Sequence, residues 1–143
     1  MRSLLTLVIL FFICTGCEEP NSLPLPSGPN SKWLSNNIHD YTIDQVRFCF
    51  CIDGGQKMKI TVRADTVYSV IRISDNSIIP YPGSKLYMSV NSLFGIIQNP
   101  NGDSLIVTYD PEYGYPDKVD INPQMHPVDG GVIYFTSNLR IIK

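Results

Sequence analysis

Residues 57–63, Lys-Met-Lys-Ile-Thr-Val-Arg, switch between polar and aliphatic at every step. Successive side chains of a strand point to opposite faces, so Met58, Ile60 and Val62 share one face and Lys57, Lys59, Thr61 and Arg63 the other. A strand with one apolar and one charged face fits an antiparallel sheet that buries one side only. The flanking sequence follows this lead. Residues 41–52 read as a long strand whose even positions Val46, Phe48, Phe50 and Ile52 form its apolar face. Asp53-Gly54-Gly55 then turns the chain. Ala64-Asp65-Thr66 turns it again into a third strand, 67–74.

Two segments carry a helical period instead. Ser31 is placed to cap a short helix running to His39, with Trp33, Leu34 and Ile38 on its apolar side. Val90, Leu93, Phe94 and Ile97 recur at i, i+3, i+4 and i+7, and Asn99-Pro100 ends that stripe. Beyond it, 104–109 presents Leu105, Val107 and Tyr109 on one face, and Asp110 to Pro116 is a turn. Val119 and Ile121 mark the next strand, and 132–142 places Ile133, Phe135, Leu139 and Ile141 on one side. The expected fold is α+β: an antiparallel sheet covered on one face by helices, in the order α-β-β-β-α-β-β-β. The doubled order divides the domain into halves near 31–75 and 84–143, which share no matching residues.

The N-terminus has a different character. Met1-Arg2 is followed by a ten-residue apolar run, 4–13, half the length a membrane-spanning helix needs but suited to a signal-peptide core. It ends in Cys14-Thr15-Gly16-Cys17, which resembles the lipobox of bacterial lipoproteins; Cys14 stands where Leu, Val or Ile is usual. In that pattern small residues admit the peptidase, and the Cys17 thiol receives the lipid. Several acyl chains on one residue hold firmly, at about 0.8 kcal/mol per buried methylene. The expected division is therefore a signal peptide at 1–16, a lipidated Cys17 with a proline-rich tether at 17–30, and a single domain at 31–143. Glu18-Glu19 resembles the surface-export signal of some Gram-negative lipoproteins and fits equally well as polar linker.

Removing 1–16 takes Arg2 with it and leaves ten Lys and Arg against thirteen Asp and Glu. That acidic balance, with no basic stripe, argues against a nucleic-acid partner. The membrane through the N-terminal lipid, and an envelope protein or peptide, are the partners expected.

Candidate chemistry is sparse. Cys49 and Cys51 alternate with phenylalanine on the expected strand and so face the same way as Arg47. In a regular strand their Cβ atoms stand roughly 6.5–7 Å apart, too far for the 3.5–4.5 Å of a disulfide unless the chain bends. Three states remain open for the pair: a disulfide, two reduced buried thiols, or a redox or metal-handling dithiol whose thiolate Arg47 favours. His39 and His126 have no metal-ligand spacing. Asn101-Gly102-Asp103 and Asp110-Pro111-Glu112 lack calcium-loop spacing and read as turns. Tyr81, Tyr109, Tyr113, Tyr115 and Tyr134 suit either a recognition surface or packing at the sheet edge. Neither a nucleophile elbow nor a phosphate-binding loop is present. No catalytic, cofactor-binding or metal residue is assigned, and a non-enzymatic binding or structural role is expected. The alternative is an extracytoplasmic thiol/disulfide protein using Cys49 and Cys51.

The Trp33 helix, Arg47-Phe48-Cys49-Phe50-Cys51, the segment ending Leu93-Phe94-Gly95-Ile96-Ile97-Gln98, and Tyr109-Asp110 leading through Gly114-Tyr115-Pro116 to Ile121 occur in an order that resembles domain-of-unknown-function family 6174. The likeness spans roughly 31–140. It differs at Ala64-Asp65-Thr66, where such proteins usually turn on Asp-Gly. The resemblance implies an envelope lipoprotein and no activity.

Overall fold

The structure, a computed structural model, describes residues 28–128 and 130–143. The expected leader, the expected lipid site Cys17 and the tether as far as residue 27 lie outside the described residues. One antiparallel sheet is built from β1 (Tyr41–Phe48), β2 (Lys57–Arg63), β3 (Thr66–Arg72), β4 (Leu105–Tyr109), β5 (Pro116–Ile121) and β6 (Val132–Ile141). Its spatial order is β3-β2-β1-β6-β5-β4. Helix α1 (Pro29–Ser35) precedes β1 and helix α2 (Val90–Gln98) precedes β4, giving the expected α+β class and the order α-β-β-β-α-β-β-β. Short 3-10 turns occupy Gly83–Leu86 and Pro123–Val128. Each half contributes one three-strand meander, and the two join where β1 pairs with β6 at the sheet centre.

Helix α1 begins earlier and ends sooner than a cap at Ser31 implies. Pro29 takes its first position, where a missing N–H costs nothing and the fixed φ already suits a helix. Asn37, at φ 51°, then turns the chain out of the helix. Trp33 and Ile38 are buried as expected, while Leu34 is exposed. The helix seats on the β4–β5 turn because Gly114 has no side chain: a Cβ there would lie 2.7 Å from the Pro29 carbonyl oxygen.

Strand β2 behaves as its alternation requires, with Met58, Ile60 and Val62 all buried. Strand β1 turns the other way from the expectation. Its buried face is Tyr41, Ile43, Gln45 and Arg47; Val46 is half-buried, Phe48 is exposed, and the strand stops at Phe48 rather than running to residue 52. The register explains this. Tyr41, Ile43 and Gln45 stand opposite Val62, Ile60 and Met58, and directly opposed residues point to the same side of a sheet. The core side chains of β2 therefore draw the polar-looking set of β1 inward.

Burial of Tyr41 and Gln45 is tolerable because their polar atoms are used. The Gln45 side-chain amide donates to the Met88 carbonyl (3.2 Å) and accepts from the Met88 N–H (3.0 Å), so a side chain mimics a strand partner. The Tyr41 hydroxyl accepts from the Val90 N–H at 2.8 Å, and Trp33 Nε1 donates to Asn91 Oδ1 at 2.8 Å. Ser89 completes the start of α2, its side chain accepting from the Ser92 N–H at 3.2 Å. The bonds to the Val90 and Ser92 N–H groups satisfy amides that a helix N-terminus leaves without an internal partner. Around them Trp33 meets Tyr41 edge-on at 5.5 Å and Tyr115 at 6.4 Å. Val90, Leu93 and Phe94 of α2 are buried, with Ile97 packed against them, as the stripe implies.

Strand β6 corrects a second expectation. Tyr134 and Thr136 are its buried residues, while Ile133 is half-buried and Phe135 exposed. A bulge at Asn138, with φ 55°, then inserts one residue opposite β1 and reverses the alternation. Leu139, of the same parity as Phe135, thereby packs against the core.

Two substitutions measure this arrangement. Gln45→Leu strands the Met88 N–H and carbonyl, and should cost about 2–4 kcal/mol in urea unfolding. Phe50→Ser should change stability by no more than about 0.5 kcal/mol, whereas a core phenylalanine there would cost about 3–5 kcal/mol.

Candidate functional site

The chain between β1 and β2 is the least ordinary surface among the described residues. Phe48, Phe50 and Ile52 are 59%, 90% and 86% exposed, three large apolar side chains within five positions. The expectation that all three belong to a buried strand face is overturned. The strand ends because the backbone folds back on itself. The Gly55 N–H donates to the Arg47 carbonyl (2.9 Å), Gly54 N–H to Cys51 (3.0 Å) and Gln56 N–H to Asp53 (3.2 Å). Asp53 and Gly55 adopt φ 62° and 77°, and a Cβ on Gly54 would collide with the Cys49 carbonyl oxygen. Only glycine fits at residue 54.

Cys49 and Cys51 lie past the strand end, so they do not share a strand face with Arg47. The loop brings their Cα atoms to 5.3 Å and joins their sulfurs. That separation is inside the range disulfides adopt and shorter than a regular strand allows two residues apart. The required bend is present, supplied by Asp53-Gly54-Gly55. Cys51 is exposed.

Arg47 points inward beneath the loop. Its Nη2 donates to the Ile52 carbonyl at 3.3 Å, and its guanidinium lies 5.9 Å from the Tyr87 ring centroid. Arg47 Nε and the Tyr87 hydroxyl are buried without a partner among the described residues. Burial pushes the Tyr87 phenol above its ordinary value, with the Arg47 charge opposing. Beside the loop, Arg72 binds Asp53 at 2.6 Å and Asp75 at 3.1 Å. The Ser77 hydroxyl and N–H, with Arg72, hold the Asp75 carboxyl down to about 2. Cys51, Asp53, Gly54, Gln56 and Arg72 line an open groove of about 340 Å³.

The remaining candidates are absorbed into local structure. His39 Nδ1 sits 2.6 Å from Asp65, joining the end of the α1 segment to the β2–β3 turn. His126 Nε2 sits 2.8 Å from Asp120, which also meets Lys118 at 3.1 Å. Asp103 accepts from Asn122 Nδ2, and Asp110 from the Glu112 and Tyr113 N–H groups, so both acidic stretches serve turns. No group of three His, Cys, Asp or Glu residues gathers as a metal site among the described residues. Of the tyrosines, Tyr115 and Tyr134 are buried, Tyr109 stacks on Phe94 and Tyr113 packs against the core, while Tyr81 is exposed beneath Lys85.

Nothing local in the sequence marks Arg72 or Tyr87 as neighbours of this loop, and the expected strand puts Phe50 and Ile52 on its apolar face. The available signal is the cysteine pair: a bond between the two requires the strand to bend, and the glycines that follow can supply the bend.

Replacing both Cys49 and Cys51 by serine should lower stability by only about 1–2 kcal/mol in chemical denaturation, because the closed loop is three residues long. Acid stability should depend on Asp120. Burial raises its carboxyl, but hydrogen bonds from His126 and Lys118 outweigh this and leave it below the ordinary value. Its contribution is then present above the unfolded-state value of about 3.9 and lost as pH falls through the lower folded-state value. Asp120→Asn should be less stable near neutrality and show a shallower loss of stability below about pH 4.

No curated protein and no solved structure matches the chain. The family model described as "Family of unknown function (DUF6174)" matches residues 28–141, which takes in both helices and all six strands. The chain belongs to that family.

Proposed function

We propose that this protein is a membrane-anchored bacterial envelope lipoprotein whose domain has a non-enzymatic binding or structural role. The leader and Cys17 pattern support the anchor. The observation that carries the role is the Cys49–Cys51 loop, which spends a disulfide and two backbone-restricted glycines on presenting Phe50 and Ile52 to solvent. Large apolar side chains held outward in a group mark contact surfaces. A disulfide also fits an oxidising compartment better than the cytosol. In this reading both helices cover one face of the sheet. Its support is that Trp33, Val90 and Phe94 share one buried cluster with Tyr41, Ile43 and Ile60. The opposite face, with Val46, Phe48, Ile133 and Phe135 in two cross-strand pairs, continues the apolar surface of the loop.

Growth with an alkyne-tagged palmitate tests the anchor. The protein should carry the tag and lose it in Cys17→Ala; an untagged wild-type protein recovered from the cytosol would defeat the reading. The exposure of Cys51 beside the Asp53–Arg72 pair favours the second reading, thiol/disulfide exchange. That reading requires wild-type protein to accelerate exchange with a small dithiol substrate and Cys51→Ser to abolish it.

A further inference from the structure

We propose that residues 48–52 form a lipid-inserting tip: Phe50 and Ile52, backed by Phe48, enter the boundary between headgroups and acyl chains of a bilayer. Four properties of the loop meet what a bilayer demands. Its outermost side chains are Phe and Ile, nearly fully exposed. Its backbone is paired at the base, where the amides of Gly54, Gly55 and Gln56 bond within the loop and Arg47 takes the Ile52 carbonyl, while the amides of residues 49–52 are left for headgroups and water to satisfy. Unpaired backbone groups are what excludes most loops from the hydrocarbon core. The only ionisable side chain in 48–56 is Asp53, already paired with Arg72 at 2.6 Å, so no lone charge is carried inward. The Cys49–Cys51 bond holds Phe50 at the apex, so little ordering remains to be done on insertion.

Position supports the same occupant. The tip extends from the end of β1 remote from Tyr41, whereas the chain enters the domain at α1, beside the β4–β5 turn at the other end of the sheet. This part of the argument alone rests on the lipid-anchor reading. The eleven residue steps from Cys17 to Gly28 reach at most about 34 Å at 3.1 Å each. Eight-residue β1 is roughly 26 Å long. The leash therefore suffices for the domain to lie over and return its tip to the membrane that holds Cys17. An anchored tip needs little affinity of its own, because tethering supplies a high local concentration of lipid. Insertion by apolar contact, with the loop's one charge paired, should also be insensitive to salt.

The test uses the full chain in phosphatidylcholine–phosphatidylethanolamine vesicles with brominated acyl chains. Tryptophan is placed at the tip (Phe50→Trp) or on exposed Tyr68 near the opposite end of the sheet (Tyr68→Trp), and the buried Trp33 background is subtracted. At the tip, emission should shift to shorter wavelength and be quenched by the brominated lipid equally in low and high salt, while the Tyr68→Trp signal stays unquenched. Tip quenching no greater than that of Tyr68→Trp overturns the proposal. So does a blue shift without quenching, which would mean that a protein surface or a second copy covers the loop. On a Cys17→Ser background, Phe50→Ser or Ile52→Ser should each weaken vesicle partitioning by about tenfold. Quenching that persists in Cys17→Ser at saturating lipid supports the tip independently of the anchor. Absence of quenching in a chain that does carry lipid on Cys17 overturns the tip and leaves the anchor standing.

Discussion

Three hydrogen-bonded contacts between residues 33–45 and the start of α2 set the rest of the structure. Trp33 meets Asn91, Tyr41 meets Val90, and Gln45 grips both backbone groups of Met88. Two of the three contacts are made by β1, so the strand has to turn its Tyr41–Gln45 face inward. Leaving those groups buried without partners would cost about 1–3 kcal/mol each, comparable with the gain from burying a Val or Phe in their place. The polar face wins because α2 arrives with backbone groups that need partners.

The outward loop follows from that choice. With Tyr41, Ile43, Gln45 and Arg47 facing in, Val46 and Phe48 face out, and the apolar run continues into 50 and 52 with no core left to receive it. Arg47, the last inward residue, closes the core end of the strand by bonding the Ile52 carbonyl and lying against Tyr87. The turn glycines and the cysteine pair then fix the loop in a shape that keeps Phe50 away from the domain. One register thus accounts both for a core strand rich in polar side chains and for an apolar surface.

How much of this was legible in the sequence depended on whether a segment's neighbours were needed to interpret it. Strand β2 and helix α2 carry their own periodicity, and each buries the side its pattern indicates. The element order and the antiparallel sheet followed from short connections. Strand β1 departs from its expected face because residue-by-residue hydrophobicity leaves out the groups it packs against. Valine and phenylalanine at even positions outscore tyrosine, glutamine and arginine at odd ones until the Met88 and Val90 backbone groups are known to be waiting. The pairing of Tyr41 with Val62 is set across an eight-residue connection, 49–56, whose length does not give the parity of the register. Strand β6 was harder, since Asn138 is the only sign of a bulge that lets Phe135 and Leu139 face opposite ways. For the site, the spacing of Cys49 and Cys51 carries the need for a bend, but the Arg72–Asp53 pair joins residues nineteen apart that no local motif connects.

The central claim is that β1 is latched to the N-terminus of α2, and amide hydrogen exchange at Met88 and Val90 tests it most directly. Both amides should exchange as slowly as those of the β1–β6 ladder, opening only with global unfolding. Fast exchange at Met88 and Val90 while the ladder stays protected would contradict the account.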